Sequence, residues 1–327
     1  MSEFIELLNT AYHKGATDIH LQSNTLPVMR CNGTLERLGK KLVTSFEIDN
    51  IAKTILSNDE FNELKVKGDI DKGIVFDGVS CRLNIFYTSG TLAIACRILP
   101  LSIPSMDKIK LPFPFQRLIN DKHGLVIVSG PTGSGKSTTI AAMLNEINKT
   151  QRKHIITIEQ PVEYRLLNDA SLIAQREVGQ DCKDFAAGLK AALREDPDII
   201  MIGEMRDAET IATALAAAET GHLVFSTLHT ANVVEAIDRM VQYFPSGSHG
   251  QIRNELANSF RAIIAQRLFA DKMGGMTAAF ELLLPTDAVK NVIRRGENSR
   301  LYEYMFPESG MQTMEQAIMG LRNKRII

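Results

Sequence analysis

Apolar residues in the first part of the chain recur with the periods of both helices and strands. They follow helical spacing from residue 4 to residue 11, and Gly15 is placed to end that helix. Residues 18–22 alternate between apolar and polar as a strand does. Thr44 and Glu47 form a capping-box pair ahead of a second apolar helical pattern. This part of the chain is therefore predicted to mix helices with strands.

Pairs of strand-like runs around two-residue turns predict three β-hairpins. The paired runs and their turns are 28–31 with 34–38 around Asn32-Gly33, 73–76 with 79–87 around Asp77-Gly78, and 79–87 with 91–99 around Ser89-Gly90. Together with the helices, they predict an α+β domain built on an antiparallel sheet.

One of these hairpins brings two like charges together. A two-residue turn at Ser89-Gly90 makes Thr88 face Thr91, and the same register then puts Arg82 directly opposite Arg97. Like charges in that relation destabilise a sheet unless an anion lies between them. Two solvated arginines on an exposed face are the alternative, and the pattern alone leaves both interpretations open.

The character of the chain changes after this domain. Residues 99–115 contain four prolines, which prevent regular structure and predict a semi-rigid linker. From about Gln116, apolar strand-like runs alternate with helical patterns, as in a parallel α/β sheet. We therefore predict domains at 1–98 and 116–327, joined by a linker at 99–115, in an α/β protein of 327 residues.

The stretch Gly130–Ser137 reads G-x-x-x-x-G-K-S between an apolar strand pattern at 124–129 and a helical pattern at 138–147, the context of a phosphate-binding loop. In such a loop, glycines let backbone N–H groups surround an anion, and the helix N-terminus adds its dipole. The residues expected to bind nucleotide are Gly130, Pro131, Thr132, Gly133, Ser134, Gly135, Lys136, Ser137 and Thr138, with Glu159 and His222 from outside the loop.

Three further apolar strands in this region adjoin polar residues. They are residues 154–158 before Glu159 and Glu163, residues 198–203 before Glu204, and residues 223–228 between His222 and His229. Ligands of parallel sheets bind at the carboxyl ends of strands, where a carboxylate can hold Mg²⁺ or its water. We therefore expect these side chains to lie near the phosphates, with a histidine contacting the γ-phosphate.

Composition narrows the functional classes. The net charge is −1, which gives no bulk attraction to nucleic acid or anionic lipid. The four cysteines form no C-x-x-C pair, which favours reduced thiols in a cytoplasmic protein over a zinc site or a disulfide framework. No apolar run approaches the length of a membrane span, about 20 residues.

Several motifs together resemble the secretion ATPases, and the PilT family of type IV pilus retraction motors in particular. Gly130–Ser137, Thr157–Glu163, Leu193–Arg206 and Ala218–His229 are similar to the Walker A, Asp, Walker B and His boxes of these ATPases, and further similarity lies in Ala16–Leu21, Arg97–Pro100 and Leu256–Arg267. The sequence departs from the family at Gln160, where the Asp box has an aspartate, and at several positions of Ala288–Arg295.

The resemblance implies a PAS-like N-terminal domain, a RecA-like P-loop NTPase domain and a homo-hexamer that hydrolyses ATP with Mg²⁺. It implies that Lys136 binds phosphate, that Ser137 and Glu204 bind Mg²⁺ directly or through water, and that Glu163 activates the attacking water. Arg82 and Arg97 would approach the γ-phosphate from the N-terminal domain. The expected partners are an inner-membrane platform protein and, indirectly, pilin, with no direct nucleic acid.

Pilus retraction is favoured over extension because the PAS-like domain begins close to Met1 and no cysteine follows His229, so no zinc insert can form there. The alternatives are an ATPase of a type II or type IV secretion or conjugation system and, in another class, a nucleic-acid translocase. A small-molecule kinase leaves the N-terminal domain without a role.

Overall fold

The computed structural model describes residues 2–31, 33–76, 79–98 and 102–327. Contacts between Cα atoms divide the chain into two compact units, residues 1–102 and residues 103–327. Of the predicted turns, Asn32 and Asp77-Gly78 lie outside the described residues, as do residues 99–101 of the proline-rich segment.

The first unit is a six-stranded antiparallel sheet with helices. Its elements are α1 (Ser2–His13), β1 (Asp18–Leu21), β2 (Val28–Cys31), β3 (Thr34–Arg37), α2 (Ser45–Ile55), α3 (Asn58–Lys67), β4 (Asp69–Phe76), β5 (Val79–Thr88) and β6 (Thr91–Ile98). The strand order is β3-β2-β1-β6-β5-β4. The predicted antiparallel α+β architecture of this part is therefore confirmed.

Alternating burial along β5 shows which side chains point away from the core. Val79, Cys81, Leu83 and Ile85 are buried, while the residues between them are partly exposed. Because successive side chains of a strand point to opposite faces, Arg82 lies on the face away from this core.

Two features of this unit differ from the pattern-based prediction. Helix α3 was not predicted, although Ser57 and Glu60 form a capping box at its start. Strand β4 begins at Asp69, four residues before the predicted Gly73. Its first residues alternate in polarity less clearly, yet they pair with β5 in regular register from Asp69 opposite Phe86 onward.

The second unit is a seven-stranded sheet flanked by helices. Its elements are α4 (Pro114–Leu118), β7 (Gly124–Ser129), α5 (Lys136–Thr150), β8 (His154–Glu159), β9 (Leu172–Glu177), α6 (Phe185–Ala192), β10 (Ile199–Ile202), α7 (Ala208–Glu219), β11 (Leu223–Leu228), α8 (Val233–Gln242), α9 (His249–Ser259), β12 (Phe260–Ala270), β13 (Met276–Leu283), α10 (Asp287–Arg295) and α11 (Met314–Asn323). The strand order is β13-β12-β7-β11-β10-β8-β9.

Six of these strands are parallel, as predicted, whereas β13 runs antiparallel to β12 at one edge. The centre of the sheet is buried on both faces. Leu125 and Ile127 of β7 enter one apolar cluster, and Val126 and Val128 enter the other. Helices on both faces bury such strands completely, which explains their continuous apolar sequence.

Part of the proline-rich segment packs into the second unit. Met106 is buried in the same apolar cluster as Phe115, and Ile103, Ile109 and Leu111 pack against that cluster. The segment therefore contributes apolar side chains to the core from Ile103 onward, a role that its proline content does not predict. No helix in the described part of the chain is long and apolar enough to cross a membrane.

Candidate active site

The glycine-rich loop joins the buried end of β7 to the start of α5. Gly130, Gly133 and Gly135 have φ values of 150°, 78° and 87°, in the region that favours glycine. A Cβ atom on Gly130 would lie 2.5 Å from the backbone oxygen of Gln266, and one on Gly135 would lie 2.9 Å from its Nε2. The backbone conformation therefore favours glycine at both positions, and at 130 the backbone oxygen of Gln266 also leaves no room for a Cβ atom.

The interior of this loop is suited to an anion. Lys136 is buried, and its Nζ donates to the carbonyl oxygens of Gly130 at 2.8 Å and Pro131 at 3.2 Å. Burial lowers the pKa of Lys136, and the charges of Glu204 and Glu163 oppose that shift. The buried Ser134 Oγ has no hydrogen-bond partner within the described part of the chain. A phosphate fits this donor set because it supplies both acceptors and negative charge.

A row of three side chains lies beside the loop. Nδ1 of His229 is 3.5 Å from Lys136 Nζ, and Nε2 of His229 is 3.5 Å from Glu204 Oε2. An imidazole that carries its proton on Nε2 can donate toward Glu204 and accept from Lys136. The structure thus brings together the predicted lysine, the strand-end carboxylate and the strand-end histidine.

Helix caps position this row. Asp207 is the N-cap of α7 and accepts from Thr210 N, so the turn that carries Glu204 ends at this residue. Asn232, three residues after His229, is the N-cap of α8 and accepts from Glu235 N. Glu204 and His229 therefore each lie on a short turn between the end of a strand and the N-cap of the next helix, at the carboxyl edge of the sheet.

Glu204 also pairs with Arg206, and only 14% of its side chain is exposed. Next to this pair is a cleft of about 780 Å³, within the size range of ligand pockets. Thr132, Arg239 and Tyr243 line it along with His229. The site is thus open on the side of Arg206.

A second group of side chains lies at the end of β8. Glu159 is buried and accepts from Thr157 Oγ1 at 2.6 Å and from Gln175 Nε2 at 3.1 Å. Burial raises the pKa of Glu159, and these hydrogen bonds oppose the rise. Glu159 therefore has partners within the protein already, and it lines a small cavity with Ser137.

Glu163 differs from Glu159 because it is exposed. Its charge acts on Lys136, so the two lie in the same region. The neighbouring Tyr164 OH lies 2.8 Å from Thr138 Oγ1, which ties this loop to the first turn of α5.

The structure does not bring His222 to the glycine loop, although this residue was expected to contact nucleotide. It precedes β11, whose first residue, Leu223, pairs with Gly124, whereas the glycine loop follows the last residue of β7, Ser129. A strand of six residues separates the two edges by about 20 Å. His222 Nδ1 instead lies 3.1 Å from the carbonyl oxygen of Ala217.

We expect His229→Ala to lower ATP turnover at least about tenfold, because it removes the group between Lys136 and Glu204. His222→Ala is the matched control and should retain parent activity, since its ring serves the opposite edge of the sheet. Phosphate release from both purified variants checks this. Equal losses in the two variants would contradict the assignment.

The predicted register of the two arginines is confirmed, since Arg82 lies opposite Arg97. The pattern left open whether an anion lies between them, and the structure gives each arginine an aspartate partner of its own. Arg82 Nη2 lies 3.0 Å from Asp71 Oδ2, and Arg97 Nε lies 3.1 Å from Asp18 Oδ1. Both arginines lie in the first unit, and the glycine loop lies in the second.

Two buried polar residues near the site were not predicted. Gln266 of β12 bonds to Ser134 and Thr139. Glu281 of β13 accepts from the first backbone N–H of α8, at Val233, and of α11, at Met314. A polar residue within an apolar strand pattern is the signal that could have identified both.

Comparison with known proteins places the chain in a family. Residues 5–304 match the family described as "Type II/IV secretion system protein". The chain is 40% identical over 305 residues to the "Twitching motility protein" of Neisseria gonorrhoeae, covering 92% of this chain and 82% of the relative. It is 37% identical over 328 residues to the "Type IV pilus retractation ATPase PilT" of Pseudomonas aeruginosa, covering 99% and 95%.

A solved structure agrees with these relatives. The structure titled "Crystal Structure of the Pilus Retraction Motor PilT and Bound ADP" is similar with a TM-score of 0.93 and 43% identity, over 99% of this chain and 94% of that one. The chain therefore belongs to the type II/IV secretion system protein family, and within it to the PilT family of ATPases.

Proposed function

We propose that this chain is a hexameric motor ATPase that powers type IV pilus retraction. The observation that carries the proposal is the row of Lys136, His229 and Glu204 beside the glycine loop. A loop suited to phosphate next to a carboxylate at a strand end is the arrangement that phosphoryl transfer requires. We further propose a PAS-like domain at 1–98, a linker at 99–115 and a RecA-like domain at 116–327.

In the proposed mechanism, the backbone N–H groups of residue 130 and residues 132–138, together with the Lys136 ammonium, bind the phosphates of ATP. Lys136 now donates to two loop carbonyls, so its ammonium is already held at the loop when nucleotide arrives. Binding phosphate replaces weak acceptors by a strong one and compensates the buried charge.

Ser137 and Glu204 are the residues that would hold Mg²⁺, directly or through water. The ion, when bound, neutralises phosphate charge. Within the described residues no three His, Cys, Asp or Glu side chains cluster as a metal site. This suits Mg²⁺, which commonly takes one or two carboxylates together with water and substrate phosphate. For this role, Glu204 must give up its ion pair with Arg206 and bind the metal ion or its water instead.

The exposed Glu163 is the proposed general base, accepting a proton from the attacking water. Because its carboxylate is exposed to water, it is better suited to this role than the buried, hydrogen-bonded Glu159. Glu159 is proposed to hold the neighbouring loop in place near the nucleotide. Arg82 and Arg97 are proposed to stabilise the charge of the γ-phosphate.

The biological assignment is supported by the names of the relatives and by the large share of their lengths that the chain matches. We propose a cytoplasmic protein, peripheral at the inner membrane, that acts on pilin indirectly through a platform protein. The alternatives are an ATPase of a type II or type IV secretion or conjugation system and a nucleic-acid translocase. The net charge of −1 disfavours the last of these.

Deletion of the gene in its own organism tests the biological role. We expect surface pili to accumulate and twitching to stop, because assembly would continue without disassembly. Complementation with the parent gene should restore both, and complementation with Lys136→Ala should not. Loss of pili in the deletion strain would instead assign the motor to assembly. Unchanged pili with a secretion or DNA-transfer defect would favour the alternatives.

A further inference from the structure

We propose that Gln266 is a positioning residue that holds the phosphate loop in its binding conformation before nucleotide arrives. The inference rests on the proposed assignment of residues 130–138 to nucleotide binding. It concerns a residue of β12, a strand remote in sequence from the loop.

Strand pairing brings Gln266 to the loop. In the register of β12 with β7, Ala265 pairs with Ser129, the last residue of β7. Strand β12 continues beyond that point as a partner of β13, with Gln266 opposite Phe280. Gln266 therefore lies where β7 has ended and the glycine loop begins.

The side-chain amide of Gln266 uses both of its ends there. Nε2 donates to the carbonyl oxygen of Ser134 at 2.7 Å, and Oε1 accepts from Thr139 Oγ1 at 2.8 Å. Only 2% of the residue is exposed, so water does not compete for these bonds. One amide thus connects the tip of the loop to the first turn of α5.

The chemistry of these contacts selects glutamine. An ionised glutamate of the same size could accept from Thr139 but could not donate to the Ser134 carbonyl, and it would add negative charge near bound phosphate. Leucine would leave both the carbonyl and the hydroxyl without partners in a dry environment.

Gln266 also lies close to two glycines of the motif. Its backbone oxygen and its Nε2 are the atoms that a Cβ at Gly130 and at Gly135, respectively, would meet. The loop is therefore fitted against Gln266 at both of its ends. An ordered loop binds phosphate without first losing conformational freedom, and this is how the residue assists binding.

The test uses Gln266→Leu in the full chain. We expect ADP affinity measured by calorimetry to fall about tenfold, from the loss of two buried hydrogen bonds. Hydrogen exchange of the nucleotide-free protein should accelerate in residues 130–139 and remain unchanged elsewhere. The KM for ATP should rise more than kcat falls, because Lys136 and Glu204 themselves are intact.

Gln312→Leu is the matched control. Gln312 precedes α11, and its Nε2 donates to the carbonyl oxygen of Phe280 at 2.8 Å, the β13 residue that lies opposite Gln266. This variant should keep parent ADP affinity. Parent-like ADP binding and loop exchange in Gln266→Leu would overturn the proposal, as would an equal loss of affinity in Gln312→Leu.

Thr139→Val provides a second test that does not depend on the folding of Gln266→Leu. It removes one of the two bonds and should weaken ADP binding by a smaller factor, and Thr139→Ser should restore it. If Thr139→Val leaves binding and loop exchange unchanged, the proposal fails. If the parent protein binds no ADP, the proposed function fails instead, and loop exchange still reports whether Gln266 orders the loop.

Discussion

We expect Lys136→Ala to reduce ATP turnover at least about a hundredfold and to weaken nucleotide binding. The ammonium is the buried cation of the glycine loop, and nothing else in the loop replaces its charge. The fold should persist, because burial already disfavours the charged form of this lysine, as its lowered pKa indicates. Phosphate release and calorimetric ADP binding measure the two effects, and circular dichroism checks the fold.

Lys149→Ala is the matched control, since Lys149 lies on the same helix but is exposed in its last turn. Glu204→Ala should also suppress turnover, but it should leave most ADP binding intact because Glu204 faces His229 and Arg206 rather than the loop carbonyls. Phosphate release near the parent rate from either Lys136→Ala or Glu204→Ala would remove these residues from the proposed mechanism.

The second large effect is expected from the paired arginines of the first unit. Arg82→Ala and Arg97→Ala should each lower ATPase activity by about 10³-fold or more if the guanidinium groups reach the transferring phosphate. ADP binding should be retained, since ADP lacks the γ-phosphate. Stability should change little, because exposed ion pairs contribute at most about 1 kcal/mol.

The aspartate partners supply the control for this experiment. Asp18→Asn and Asp71→Asn break the same ion pairs but leave the guanidinium groups in place. If the arginines act on phosphate, only the arginine variants lose activity. If the arginines act only within their ion pairs, arginine and aspartate variants behave alike, and that result would reject their role in catalysis.

Local sequence was sufficient for features that depend on neighbouring residues. The turn at Ser89-Gly90 sets the register of its hairpin, and so it places Arg82 opposite Arg97. The capping pair at Thr44 and Glu47 starts α2 as predicted. The glycine loop was likewise recognisable, because its conformation depends on glycines at set spacing between a strand and a helix.

Tertiary structure alone decided which distant residues complete the sites. The parallel pairing of β11 with β7 puts His229 beside the loop and leaves His222 at the opposite edge, although both flank the same strand. Asp71 and Asp18 neutralise the arginines only because β4 and β1 flank the β5–β6 hairpin.

Gln266 shows the same limit most clearly. More than a hundred residues separate it from Ser134, and only the insertion of β12 between β7 and β13 brings its amide to the loop. Periodicity and turn chemistry report forces between residues close in sequence, and these determined the helices, hairpins and phosphate loop. Strand order depends on how whole apolar faces pack together, which local sequence does not specify. The residues that surround the loop are therefore determined by the tertiary structure.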